Sequence, residues 1–185
     1  MLTTMLFTMN ISKLFYHEPR PFWVSPQIEA LACSTQYGNP SGHSLFAMGT
    51  ALTIWLDYNA TVANTTSFWG RWYTRLALLI AALTFGVTIG YSRVVLGVHS
   101  WNQLLFGWQL GAWMALTLHF CCRVKLHENV NQLFCDRETN FVGLAIKWSG
   151  LLAIVLVVEI VNYVVKEPWI VNDPIWQANI VAKCP

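Results

Sequence analysis

Charge is scarce in this chain of 185 residues: only 11% are Asp, Glu, Lys or Arg, against roughly a quarter in a soluble domain. Eleven basic and nine acidic residues leave a formal net charge of +2, too small and too scattered for a nucleic-acid-binding surface. No acid-rich cluster is present, so no carboxylate metal site is read from the sequence. Five cysteines (Cys33, Cys121, Cys122, Cys135, Cys184) contain no C-x-x-C pair, which removes the usual zinc and dithiol signatures. Adjacent Cys121 and Cys122 are poor geometry for a mutual disulfide. The expectation is free thiols or small core residues, with S-acylation of Cys121-Cys122, just before Arg123 and Lys125, as a side reading. There is no internal repeat and no low-complexity tract. The opening MLTTMLFTMNIS lacks a basic n-region and a small-residue cleavage site, so it does not read as a signal peptide.

What the chain has instead is apolar surface. Hydrophobic residues make up 55% and the mean hydropathy is +0.45. Ten Trp and six Tyr suit the aromatic belts of a membrane interface. The fold class expected is all-α, a polytopic transmembrane helix bundle forming a single domain over 1–185. A span needs about 20 mainly apolar residues, and four stretches qualify or nearly so: 44–58, 73–91, 100–122 and 142–165. Residues 1–12 read as the last turns of a further helix, so Met1 is expected to be internal to a longer product, a naturally shortened chain being the alternative. Between these lie a Pro/Gly/Ser-containing loop at 13–43, a polar turn at 59–72, a helix junction at 92–99 and a charged loop at 122–141. A tail, 166–185, carries Pro168, Pro174 and Pro185 with little periodicity, and Trp169 and Trp176 read as interface anchors.

If 44–58, 73–91 and 100–122 each cross, then Lys13, Arg20, His43, Arg93 and His99 share one membrane face. Connectors of the opposite face hold Arg71, Arg75, Arg123, Lys125 and Arg137. The positive-inside rule therefore puts the shared face on the lumenal or extracellular side. Sequons at Asn59 and Asn64 would then face the cytosol and a third, at Asn10, would lie against the membrane, so the basic bias is weighted above them.

The residues on that face suit phosphate chemistry. Arg20 and Arg93 offer planar forks for bidentate contact and Lys13 a point charge. In Pro40-Ser41-Gly42-His43, glycine permits close backbone approach, the Ser41 hydroxyl adds a donor, and the helix that follows points its positive end at an anion. His43 is placed to protonate a leaving oxygen. His99 is placed to attack phosphorus, splitting one displacement into two through a phosphohistidine. Gln103, one helical turn on, can hold the other imidazole nitrogen.

In order and spacing this resembles the type-2 phosphatidic acid phosphatase superfamily, whose site is related to vanadium haloperoxidases. The family pattern K-x6-RP, PSGH, SR-x5-H-x3-D reads here as Lys13-LFYHEP-Arg20-Pro21, Pro40-Ser41-Gly42-His43 and Ser92-Arg93-VVLGV-His99-SWN-Gln103. The resemblance covers roughly residues 13–120. It implies a membrane bundle of usually six core helices, here shortened at its start, and metal-independent phosphate-ester hydrolysis without a cofactor. It assigns phosphate binding to Lys13, Arg20, Ser41, Gly42 and Arg93, the acid to His43 and the nucleophile to His99. One departure is chemical: Gln103 stands where the family usually has Asp, and an amide orients an imidazole without stabilising its charge. Glucose-6-phosphatase-type members carry glutamine there, and Arg20-Pro21-Phe22-Trp23 is similar to that branch, whereas Tyr91-Ser92-Arg93 and Gly97-Val98-His99-Ser100 look like lipid-phosphate phosphatases.

The function expected is an integral membrane phosphatase, a phosphoric ester hydrolase acting on a phosphomonoester or diphosphate carried by a lipid. A sugar-phosphate hydrolase and a catalytically silent phospholipid-binding relative are the alternatives. The partners are then the substrate and the membrane, with room left for a homo-oligomer, and the resemblance implies the endoplasmic reticulum or another endomembrane. Glu159, inside an apolar run, reads as lining a path or bonding neighbouring helices. His17 is expected at the surface, and His119 and His127 on the opposite face.

Overall fold

A computed structural model describes residues 1–62, 65–135, 141–166 and 173–184. All regular structure in them is helical. The elements are α1 (Leu2–Tyr16), α2 (Pro21–Val24), α3 (Gly42–Val62), α4 (Trp72–Val95), α5 (Trp101–Thr117), α6 (Arg123–Cys135), α7 (Phe141–Lys166) and α8 (Pro174–Lys183). A π turn at Leu118–Cys122 joins α5 to α6 without a break, so the charged loop expected at 122–141 is helical through Cys135. The residues there are polar but include neither Pro nor Gly to end the helix. Residues 136–140 lie outside the described ones.

α3 is the hub, packed on α1, α4 and α5. Its contact with α5 is close because Gly107 and Gly111 leave room: a Cβ at Gly107 would lie 2.7 Å from the Ser41 carbonyl oxygen. Small residues four apart are the usual means of bringing membrane helices together. Met5 and Met9 of α1 fill the space beside Leu45 and Met114.

Among the described residues, three helices are long and apolar enough to cross a membrane: Trp72–Val95, Trp101–Asn131 and Ala145–Val165. Four were expected; α3 has the length, 21 residues, and falls short in hydropathy. Being enclosed by neighbours, it has less need of an apolar surface all round. It still runs the depth of α4 and α5. At its far end Asp57 lies 2.9 Å from Arg123 Nε and 3.3 Å from His119 Nδ1, so His119 is on the face opposite the site, as expected.

The tail overturns three readings. Residues 174–183 form α8, because Asp173 caps it, accepting from Ile175 N at 2.8 Å, and Pro174 occupies the first turn. Proline there starts a helix. α8 packs on α2, where Trp176 meets Trp23 with ring centroids 6.3 Å apart, so Trp176 is no free interface anchor. Lys183 Nζ donates to the carbonyls of Ser25 and Ile28 at 2.8 Å each. Cys33 and Cys184 form a disulfide across 151 positions, which corrects the free-thiol expectation for that pair; Cys121 and Cys122 are free and exposed. The correction arises because only the docking of α8 brings the two cysteines together. Trp169 and Asn64 lie outside the described residues, while Asn59 accepts from Arg75 Nε.

Cutting this cross-link has an expected cost. Cys33→Ser, or reduction of the wild type, lowers stability by about 2–4 kcal/mol, read as a lower Tm of the purified protein. An unchanged Tm would show that α8 is held by its side-chain contacts alone.

Candidate active site

Residues of α1, α3 and α4, the loop 25–41 and the junction just before α5 border a cavity of about 650 Å³. Lys13, Arg20, Gly42, His43, Arg93 and His99 all line it. Three sequence stretches separated by tens of residues are thus brought onto one surface. Lys13 was placed at the start of a loop; it lies instead on α1, which continues to Tyr16 and ends at His17 in the left-handed region (φ 47°). His17 packs edge-on against Tyr37.

Two of the three cations, Lys13 and Arg20, are held by neutral acceptors. Lys13 Nζ donates to Gln36 Oε1 at 3.0 Å. Arg20, 5% exposed, donates from Nε to the Gln36 carbonyl at 2.7 Å and from one terminal nitrogen to the Val98 carbonyl at 3.0 Å. The same nitrogen is 3.2 Å from His99 Nε2. Arg93 Nε is buried with no hydrogen-bond partner. Among the described residues the ion pairs are those of Asp57 at the far face, so no carboxylate neutralises the three cations. Buried cations without counter-charge make a site for an anion.

That field acts on the titrating groups. Burial, and then Arg93, push Arg20 down to about 10, which leaves it charged at neutral pH. Burial, and then Arg20, push His99 down to about 3 from the usual 6.5. The free imidazole is therefore neutral and keeps a lone pair for attack. The sign follows for stability: the unfolded chain takes a proton near 6.5 that the folded one refuses, so folding loses stability as pH falls from about 6.5 towards 3. The ring-nitrogen resonances of His99 are expected to stay those of a neutral imidazole from pH 5 to 8 in ligand-free protein. A midpoint near 6.5 would contradict the burial argument.

Local sequence explains how His99 is set. Gly97 takes φ +70° with the Glu29 carbonyl against it, a turn that only glycine fits. Ser100 then caps α5 in a capping box with Gln103. Gln103 Oε1, engaged by the Ser100 N–H at 3.3 Å, lies 3.1 Å from His99 Nδ1.

Two assigned residues sit differently from their expected use. Ser41 is fully buried behind the cavity wall, its hydroxyl accepting from Ser44 at 2.8 Å. At Gly42 the space of a side chain is taken by Met9 Sδ, so the glycine admits α1. Gln36, Glu18 and Gly38 were not singled out. Ser100-Trp101-Asn102-Gln103 is a capping-box spelling, and Glu18 is the acid lying between two site cations in the sequence. Gln36 has no such signal. A second cavity of about 480 Å³ shares Lys13 and Gln36 with the first and is lined by Tyr37, Glu159 and Tyr163, which puts Glu159 beside the site.

The sequence profile of the PAP2 superfamily matches residues 1–126. The chain belongs to the PAP2 superfamily. All three motif stretches of this membrane phosphatase-like family fall inside the match. Undecaprenyl-diphosphatase of Sulfolobus acidocaldarius is 31% identical over 107 residues, 57% of this chain and 44% of that protein. Dolichyldiphosphatase 1 of Homo sapiens is 36% identical over 90 residues, 46% of this chain and 36% of that protein; the Rhinolophus ferrumequinum protein of that name is 35% identical over 86 residues, 44% and 35%. The chain thus spans less than half the length of these PAP2 relatives. No solved structure gives a significant match. α7 and α8, which border the site through Glu159 and the disulfide, lie beyond the PAP2 match.

Proposed function

We propose that this PAP2 protein hydrolyses a phosphate ester or diphosphate of a membrane lipid through a phosphohistidine. The observation that carries the reading is the convergence of Lys13, Arg20 and Arg93, with no carboxylate partner among the described residues, on a cavity that also holds a neutral buried histidine. The three cations hold the terminal phosphoryl group. His99 Nε2 attacks phosphorus, the bond to the leaving oxygen breaks, and His43 gives that oxygen its proton. Water then attacks the phosphohistidine, His43 takes the water's proton, and free phosphate and neutral His99 result.

A lipid rather than a sugar is supported by the shape of the cavity. Its inner end runs along α3 between Met9 of α1 and Phe85 and Ile89 of α4. Phe85 is 56% exposed on the outer surface of a helix apolar enough to span, so this end is bordered by lipid-facing surface. The similarity to undecaprenyl- and dolichyl-diphosphatases makes a polyprenyl diphosphate the first substrate to try. A disulfide at the site face suits an oxidising compartment, and agrees with the basic residues of the opposite face in directing the site to the lumenal or extracellular side of an endomembrane or the cell.

Purified protein in lipid nanodiscs, given a polyprenyl diphosphate, phosphatidic acid and glucose 6-phosphate in parallel, is expected to release phosphate fastest from the first. Fastest release from glucose 6-phosphate would overturn the lipid reading. Release from none, by protein that retains its Tm, would favour a silent relative.

A further inference from the structure

A histidine that attacks through one ring nitrogen must carry its proton on the other. Where the acceptor for that proton is a carboxylate, either oxygen serves. Here it is Gln103, whose two ends are not equivalent: turned round, its NH2 would face His99 Nδ1, drive the proton to Nε2 and remove the lone pair that attacks. The glutamine cannot settle this itself, but its surroundings do.

Gln103 is 1% exposed. One end of its amide lies 3.0 Å from Glu18 Oε1 and 2.9 Å from the Pro19 carbonyl oxygen, two groups that accept. The other lies 3.1 Å from His99 Nδ1 and 3.3 Å from the Ser100 backbone N–H, which only donates. Reversal would set oxygen against a carboxylate and a carbonyl, and NH2 against an N–H. Glu18 is fixed in turn: Oε1 also accepts from Asn102 Nδ2 at 2.8 Å, and Oε2 from Asn39 Nδ2 at 2.6 Å. Its backbone oxygen accepts from Gly38 N at 2.8 Å. Gly38 itself must be glycine-sized, since a Cβ there would lie 2.6 Å from Gln103 Nε2.

We propose that Glu18 is a positioning residue which, through Gln103, holds His99 protonated at Nδ1 and supplies from one amide away the negative charge that steadies the imidazole when Nε2 takes up phosphorus. The departure at Gln103 is thereby compensated from a different stretch of the chain. The role rests on the phosphohistidine reading above.

The test uses the full chain in nanodiscs with ¹⁵N-labelled histidine, His99 being assigned by comparison with His99→Gln. Wild type is expected to show His99 protonated at Nδ1. Glu18→Gln, which keeps the shape and removes the charge, is expected to lose part of that tautomer and to lower kcat about 10–100-fold with KM changed less than about threefold. Adding Gln103→Asp, which puts a carboxylate directly on Nδ1, is expected to recover most of the lost kcat. A fall in kcat with the His99 resonances unmoved would make Glu18 a brace for the loops and overturn the proposal. So would wild-type kcat in Glu18→Gln. Should Glu18→Gln not fold, the wild-type resonances decide, since an imidazole protonated at Nε2 overturns it outright. An inactive wild type would sink the phosphatase reading and leave the tautomer measurement standing.

Discussion

Replacing His99 by alanine is expected to lower phosphate release about 10⁴-fold or more, the scale on which removal of a nucleophile acts in other covalent mechanisms. The substitution removes the one buried imidazole that is neutral, within reach of Arg20 and anchored by Gln103. It leaves Lys13 and Arg93 on the cavity wall, so inhibition by inorganic phosphate should weaken by no more than about threefold while turnover disappears. Rapid-quench trapping of wild type should show acid-labile protein-bound phosphate that His99→Ala lacks. A variant retaining more than about a hundredth of wild-type turnover, or still labelled, would show that phosphorus is attacked by something other than His99.

Arg20→Lys is expected to lower kcat/KM about 10²–10³-fold, nearly as much as Arg20→Ala. The guanidinium makes three contacts in two directions: the carbonyls of Gln36 and Val98 and the ring nitrogen of His99. An ammonium keeps the charge but cannot reach all three from one stem. Arg20 also ties the loop bearing Gln36 to the strand of backbone just before His99, so its loss should raise KM and lower kcat together. Retention of more than about a tenth of wild-type kcat/KM by Arg20→Lys would reduce the residue to a point charge.

How much of this was legible beforehand can be argued residue by residue. Lys13, Arg20, Gly42, His43, Arg93 and His99 line one cavity because helix periodicity and the alternation of spans put them at the same end of the bundle, and both are local properties of sequence. Gln103 was noticed for its spacing from His99. Its second partner was not, since Glu18 lies 85 positions away and nothing local announces the pairing. Ser41 looked like a phosphate donor from its place in the motif, yet close packing of α3 against Gly107 of α5 buries it. The tail looks irregular from its three prolines and its lack of periodicity, whereas Pro174 behind Asp173 opens a helix.

By itself the sequence determined the all-helical membrane class and the order and spacing of the residues that line the cavity. Those follow from composition, from the 3.6-residue period and from motif spacing, each readable within a few turns of chain. Tertiary structure alone decided that α8 returns to the site face and is cross-linked there. It also decided that Arg20 touches His99 and that a carboxylate stands behind Gln103. These are contacts between groups 79 to 151 positions apart, and their existence depends on how α1, α3, α5 and α8 pack, a property of no single segment.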